Sequence, residues 1–133
     1  MGLDIHYCKD GEWGDFSDDV NVSYGYLSHF NFRTALLSAS YPEYVSSFNK
    51  VFSLTSEEEK MLYNLCNEDS GLASFVFHSD CDGSFTPEQC SDVYRAFEKI
   101  NECLLSSPWR DYFRRWKAAF KYCYENSSSL MFS

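Results

Sequence analysis

The chain has 133 residues, 44% of them hydrophobic and 19% aromatic, which is enough apolar surface for one core and too much for a disordered chain. Its formal net charge of -9 and pI near 4.6 speak against binding bare DNA, RNA or anionic lipid. The start Met1-Gly2-Leu3-Asp4-Ile5-His6 has neither a basic nor an apolar leader segment, and no apolar run is long enough to span a bilayer, so a cytoplasmic single domain over residues 1–133 is expected.

Residues 3–8 alternate, with Leu3, Ile5 and Tyr7 on one face and Asp4, His6 and Cys8 on the other. This is the pattern of a half-buried strand. Residues 9–19 carry Asp10, Glu12, Asp15, Asp18 and Asp19 with two glycines and read as an acidic loop. Val20 to Tyr24 suggests a second strand. A helix is expected from about Ser28 to Ala39, capped by Ser28, with Leu27, Phe30, Thr34 and Leu37 on one face. A short helix over 43–52 follows Pro42. Ser56-Glu57-Glu58-Glu59 reads as a capping box opening the next helix, which ends by Asn67.

The apolar run Leu72 to Phe77 is expected to be a buried strand or a short buried segment. Thr86-Pro87-Glu88-Gln89 supplies N-cap, N1 proline and N3 Gln in order, a strong helix start. Apolar residues then recur at Cys90, Val93, Phe97, Ile100 and Leu104. Ser107-Pro108 opens another helix, along which Trp109, Phe113, Trp116, Phe120 and Cys123 share a face. These two helices should pack together. Leu130-Met131-Phe132 is expected to dock as a final strand. The predicted class is α+β: a small mixed sheet of short strands packed by about four to five helices.

The densest group of reactive side chains is the turn His78-Ser79-Asp80-Cys81-Asp82-Gly83. As a calcium loop it places Asp80, Asp82 and Gly83 suitably, but puts His78 and Gln89 where acids are needed. As a transition-metal site it would need His6, Cys8, His78 and Cys81 to converge with nearby aspartates. A nucleophilic Cys81 is opposed by its flanking carboxylates. A hydrogen-bonded turn is the plain alternative. No cofactor is called for, although these ligand types admit a divalent metal. Neither Cys81 nor the other five cysteines forms a C-x-x-C pair, and all are read as reduced thiols.

Tyr24, Tyr26, His29, Phe30, Phe32 and Arg33 form an aromatic cluster of a kind that can line a pocket for a base or ring; most of it is expected to be core, with Arg33 paired to a buried acid such as Asp4 or serving as an anion contact. Arg110, Arg114, Lys117 and Lys121 recur at i, i+4, i+7 and i+11, a stripe expected to be solvated and paired with the protein's own acids.

Several segments, in this order, resemble a family of small proteins of bacteria, phages and prophages. Met1-Gly2-Leu3-Asp4-Ile5 is similar to that family's M-G-L-D-I start. Tyr24-Gly25-Tyr26 leading to Phe32-Arg33 is similar to its Y-S-G-Y-x-x-W-R. His78-Ser79-Asp80-Cys81-Asp82-Gly83 is similar to its F-S-D-C-E-G turn, with Asp82 where the family tends to have Glu. Trp116-Lys117-Ala118-Ala119-Phe120 is similar to its W-R-K-A-F helix. The family often ends in D-F-H, whereas this chain ends Met131-Phe132-Ser133. The resemblance implies an intracellular phage-type accessory protein and points to Asp4, Arg33, Ser79, Asp80, Cys81, Asp82 and Gly83.

Two functions are carried forward. The first is a non-enzymatic binding protein that engages a host protein or sequesters a small anionic ligand, with Asp4, His6, Arg33, His78, Ser79, Asp80, Cys81 and Asp82 as candidate contacts and the acidic 10–19 segment facing a basic surface. The second is a small-molecule or metal-assisted hydrolytic site built on Asp4, His6, His78, Asp80 and Asp82. It requires the polar face of the first strand and the 78–83 turn to meet.

Overall fold

The computed structural model of the protein describes residues 2–49, 55–78 and 83–133. Within them an antiparallel sheet is covered on one side by helices, an α+β architecture. Strand β1 (Leu3–Lys9) pairs with β2 (Glu12–Asp15), with β3 (Ser23–Tyr24) and with β5 (Ser129–Phe132), and β5 pairs with β4 (Ser84–Phe85). Every described ladder is antiparallel, so the sheet is not the mixed one expected from the sequence. The order β2-β1-β5-β4 places the last strand of the chain in the middle of the sheet.

The acidic 9–19 segment is a hairpin rather than a loop. Asp10 and Gly11 both take positive φ, 54° and 82°, as a tight two-residue hairpin turn requires. That geometry matches the twist of the flanking strands, so β2 forms despite the five exposed acids of the segment.

Helix α1 (Tyr26–Ser40) starts from Gly25 rather than Ser28 and buries His29, Phe32, Arg33, Leu36 and Leu37. Leu27, expected to face inward, is 73% exposed. Apolar residues lie almost all around this helix, so periodicity could not select its buried face. A 3-10 turn at Pro42–Tyr44 leads to α2 (Val45–Asn49), and residues 50–52 of the helix expected there lie outside the described residues. Helix α3 (Ser56–Glu68) is capped by Thr55 with Glu58 as the reciprocal partner, one residue before the expected box.

The apolar run after it is helix α4 (Ser70–Val76), not a strand. The Asp69 carboxylate accepts from the Leu72 N–H at 3.1 Å, and this cap decides between two structures that the apolar run alone cannot separate. Helix α5 (Pro87–Glu98) has the expected Thr86–Gln89 capping box but ends before Ile100. Helix α6 (Ser107–Glu125) buries Phe113, Trp116, Phe120 and Cys123 as expected. Helices α5 and α6 meet through Phe97 stacked on Phe113, ring centroids 5.1 Å apart.

At the centre, Phe75 of α4 has Trp116, Phe97, Phe120 and Phe85 around it at 5.0 to 6.5 Å. Each such ring removed from water contributes about 1.5–3 kcal/mol. This cluster fixes which side of the sheet is covered. Ile5, Leu130, Phe132 and Phe85 point into it and are buried. No helix among the described residues is long and apolar enough to cross a membrane.

Candidate functional site

Alternation along β1 sends Asp4, His6 and Cys8 to the side of the sheet away from the helices. Their cross-strand partners follow: His6 lies opposite Asp15 and Met131, and Cys8 opposite Trp13 and Ser129. His6 is held at both ring nitrogens. Nδ1 is 2.8 Å from Asp15 Oδ1 and Nε2 is 2.8 Å from Ser133 Oγ. A carboxylate only accepts, so the Nδ1 position donates and the neutral ring accepts from the Ser133 hydroxyl at Nε2. Trp13, 53% exposed, stands beside it with ring centroids 5.6 Å apart. Asp4 exchanges backbone hydrogen bonds with Ser133 at 3.3 and 3.0 Å.

His78 lies on the opposite side. Its ring stacks on Phe85 at 4.2 Å and meets the edge of Phe132 at 4.8 Å. Its Nε2 donates to the Ser84 carbonyl at 3.1 Å. Phe132 pairs with Ile5, and both face the helices, whereas His6 pairs with Met131 on the other face. The hydrolytic set of Asp4, His6, His78, Asp80 and Asp82 is therefore not assembled among the described residues. Ser79, Asp80, Cys81 and Asp82 lie outside the described residues. No group of three His, Cys, Asp or Glu side chains among the described residues is placed to hold a metal ion.

Arg33 is buried in the core. Its Nη1 donates to the carbonyls of Val76 at 3.0 Å and His78 at 3.1 Å. These belong to the C-terminal end of α4, where carbonyls lack helical partners and the helix dipole favours a cation. Arg33 thereby ties α1 to α4 and to the start of the 78–83 turn.

One turn earlier on α1, His29 is also buried. The Trp116 indole donates to the Tyr24 hydroxyl at 3.0 Å, so the phenol proton goes to His29 Nδ1, 2.5 Å away. This puts the His29 proton on Nε2, which meets no hydrogen-bond partner among the described residues, and the ring lies against those of Phe75 and Phe132. Burial, with Arg33 and His78 nearby, lowers the His29 pKa to about 3, so the ring is neutral. Burial likewise pushes the Tyr24 phenol well above its usual range.

The β1–β2 hairpin projects its acids into solvent, with Asp10, Glu12, Asp15, Asp18 and Asp19 all exposed. On its helix side, between the hairpin and α6, runs a groove of about 360 Å³ lined by Tyr7, Phe16 and Tyr122 together with Asp15, Ser17 and Glu125. Tyr7 leans over its cross-strand partner Gly14, where any Cβ would meet the ring at 2.2 Å. Its ring then meets Tyr122 at 5.0 Å and Phe16 at 5.4 Å. Arg115 donates to the carbonyls of Asp18 and Asn21 at 2.6 and 3.0 Å and pins the end of the acidic segment to α6.

Three members of the basic stripe of α6 are engaged within the molecule. Arg114 reaches both oxygens of Glu102 at 2.8 and 3.1 Å, and Arg110 donates to the carbonyls of Glu102 and Leu105. Lys117 sits over the Tyr94 and Phe113 rings at 5.9 Å. Sequence reading missed Asp15 and Ser133 as partners of His6 and missed the aromatic floor of the groove. The Asp10-Gly11 turn was the one available signal, because a two-residue hairpin places Asp15 opposite His6. Compared with known proteins, the chain matches no protein-family model, no curated protein and no solved structure.

Proposed function

We propose that the protein works by binding a partner with a basic surface, and that the groove beside the β1–β2 hairpin receives a Lys or Arg side chain. The observation that carries this reading is the combination of three aromatic rings with Asp15 and Glu125 in one open groove. A cation gains from the ring faces and the Glu125 carboxylate together, with Asp15 at the rim, and its aliphatic stem packs on the tyrosines. The exposed acids at 10, 12, 18 and 19 extend the same negative field and would steer a basic partner toward the groove. With the resemblance to small phage and prophage proteins, this becomes a phage-type accessory protein that engages a host protein, as counter-defence proteins do. A small anionic ligand fits less well, because the groove is acid-lined and Arg33 is turned to backbone carbonyls.

The test is a fluorescence-anisotropy titration of a labelled Arg/Lys-rich peptide. Binding should weaken steeply with salt. The combined variant Asp10→Asn, Glu12→Gln, Glu125→Gln should lose roughly tenfold in affinity, and Tyr122→Ala should weaken binding without changing its salt dependence. If the neutralised variant binds as well as the native chain, the reading fails.

A further inference from the structure

Three adjacent strands set an acid, an imidazole and a hydroxyl in one row on the open face. Asp15 on β2 is the direct cross-strand partner of His6 on β1. Ser133, just past β5, continues the ladder by exchanging backbone hydrogen bonds with Asp4, which makes it the diagonal neighbour of His6. Neighbouring strands lie about 4.8 Å apart, so an imidazole on the middle strand spans the distance to both flanking side chains. The two contacts of 2.8 Å are within the range expected between a nucleophile and its base, and between that base and its orienting acid. The proton positions agree: a carboxylate accepts from Nδ1–H, and Nε2 accepts from the Ser133 hydroxyl.

From this geometry we propose that Ser133 Oγ is a nucleophile, with His6 as its general base and Asp15 as the residue that positions His6, and that the open face hydrolyses small activated esters. The reading goes beyond partner binding and uses the opposite face of the sheet from the groove, with Asp15, which also borders the groove, as the one residue shared. Ser133 Oγ attacks the ester carbonyl carbon, forming the new C–O bond while its proton passes to His6 Nε2. Collapse of the adduct breaks the bond to the leaving alcohol, which takes that proton from His6. Water then attacks the acyl-Ser133 carbonyl, gives its proton to His6, and releases the acid. Ser133 Oγ recovers the proton, so ester and water become acid and alcohol with His6 and Asp15 unchanged.

The surroundings set the substrate class. Trp13 and Met131, on either side of His6, form an apolar ledge for a short acyl or aryl group. The site is shallow and wet, and Asp15 is 87% exposed against 26% for the His6 side chain. Solvent screening at such a carboxylate weakens its field, so Asp15 acts mainly by fixing the ring. An open site also provides little electrostatic preorganisation for the oxyanion, which restricts turnover to esters with good leaving groups. Among the described residues, the other titratable side chains that alternation places on this face of the strand are Asp4 and Cys8.

The experiment uses the purified full chain with p-nitrophenyl acetate and, separately, an alkyl fluorophosphonate. In the latter the Ser133 oxygen bonds phosphorus as fluoride leaves. Intact mass and peptide mapping should place one acetyl or phosphonyl group on Ser133. Ser133→Ala and His6→Gln should each lower ester hydrolysis on the order of 10²-fold, with unchanged circular dichroism. Asp15→Asn should cost less and act on kcat rather than KM, because the ring loses the acceptor that fixes its orientation; Asp15→Glu should restore part of the rate. Hydrolysis that survives in Ser133→Ala or His6→Gln, or an adduct that maps to a lysine, overturns the proposal.

Discussion

His29, on the helix side of the sheet, and His6, on the open side, are each held at Nδ1 by an oxygen, but their second nitrogens meet opposite conditions. His29 Nε2 is buried with no hydrogen-bond partner among the described residues, and the side chain is kept neutral by burial. His6 Nε2 faces a serine hydroxyl at the edge of solvent. One imidazole is a packing element kept neutral by burial; the other stands on the open face, bonded to an exposed carboxylate and a hydroxyl. The difference comes from strand alternation and from the aromatic cluster that covers only one face.

The comparison breaks most directly at the core. Trp116→Ala removes a fully buried ring and the indole donor to Tyr24. It should cost about 3–5 kcal/mol in urea unfolding, whereas Met131→Ala on the open face should cost well under half of that. Comparable losses would mean that both faces are covered.

The next effect is pH-dependent. The His29 pKa is depressed from 6.5 to about 3, so between these values the unfolded chain binds the proton and the folded one does not. The stability from the neutral ring is whole above about pH 6.5 and is lost progressively as pH falls toward 3. The stability gap between the native chain and His29→Phe should therefore shrink with acidification, by up to about 1.4 kcal/mol per pH unit. A gap constant from pH 7 to pH 4 would show that His29 ionises freely.

A smaller effect is expected where α4 meets α5. A Cβ at Gly71 would lie 2.4 Å from the Asp92 carbonyl oxygen. Gly71→Ala must separate two helices that the core holds together, at about 1–3 kcal/mol in thermal or urea unfolding. The smallest stability change belongs to Trp13→Ala, expected within about 0.5 kcal/mol, because its ring is half in water. Its value lies in sharpening the contrast: ester turnover should fall through loss of the apolar ledge while unfolding stays put.

Much of the framework was legible from local chemistry. The alternation of residues 3–8, the Thr86–Gln89 capping box, the Trp109-to-Cys123 face and the final strand at Leu130-Met131-Phe132 all correspond to elements of the structure. Each is a short-range pattern, set by side-chain period or by a cap within one turn. The errors fell where local signals tie. The Leu72–Phe77 run suits a buried strand or a buried helix, and α1 carries apolar residues on every side.

The sites divide in the same way. By itself the sequence determined that Asp4, His6 and Cys8 share the polar face of β1, and that the 10–19 segment is strongly acidic. The Asp10-Gly11 turn locally sets Asp15 opposite His6, whereas only the tertiary structure decided that Ser133 lies beside His6 and that His78 turns inward onto Phe85. Those placements depend on which strands become neighbours in the sheet. That order is chosen by long-range burial of Phe75, Trp116 and Phe120 against the strands, a many-body packing outcome that no local spacing encodes.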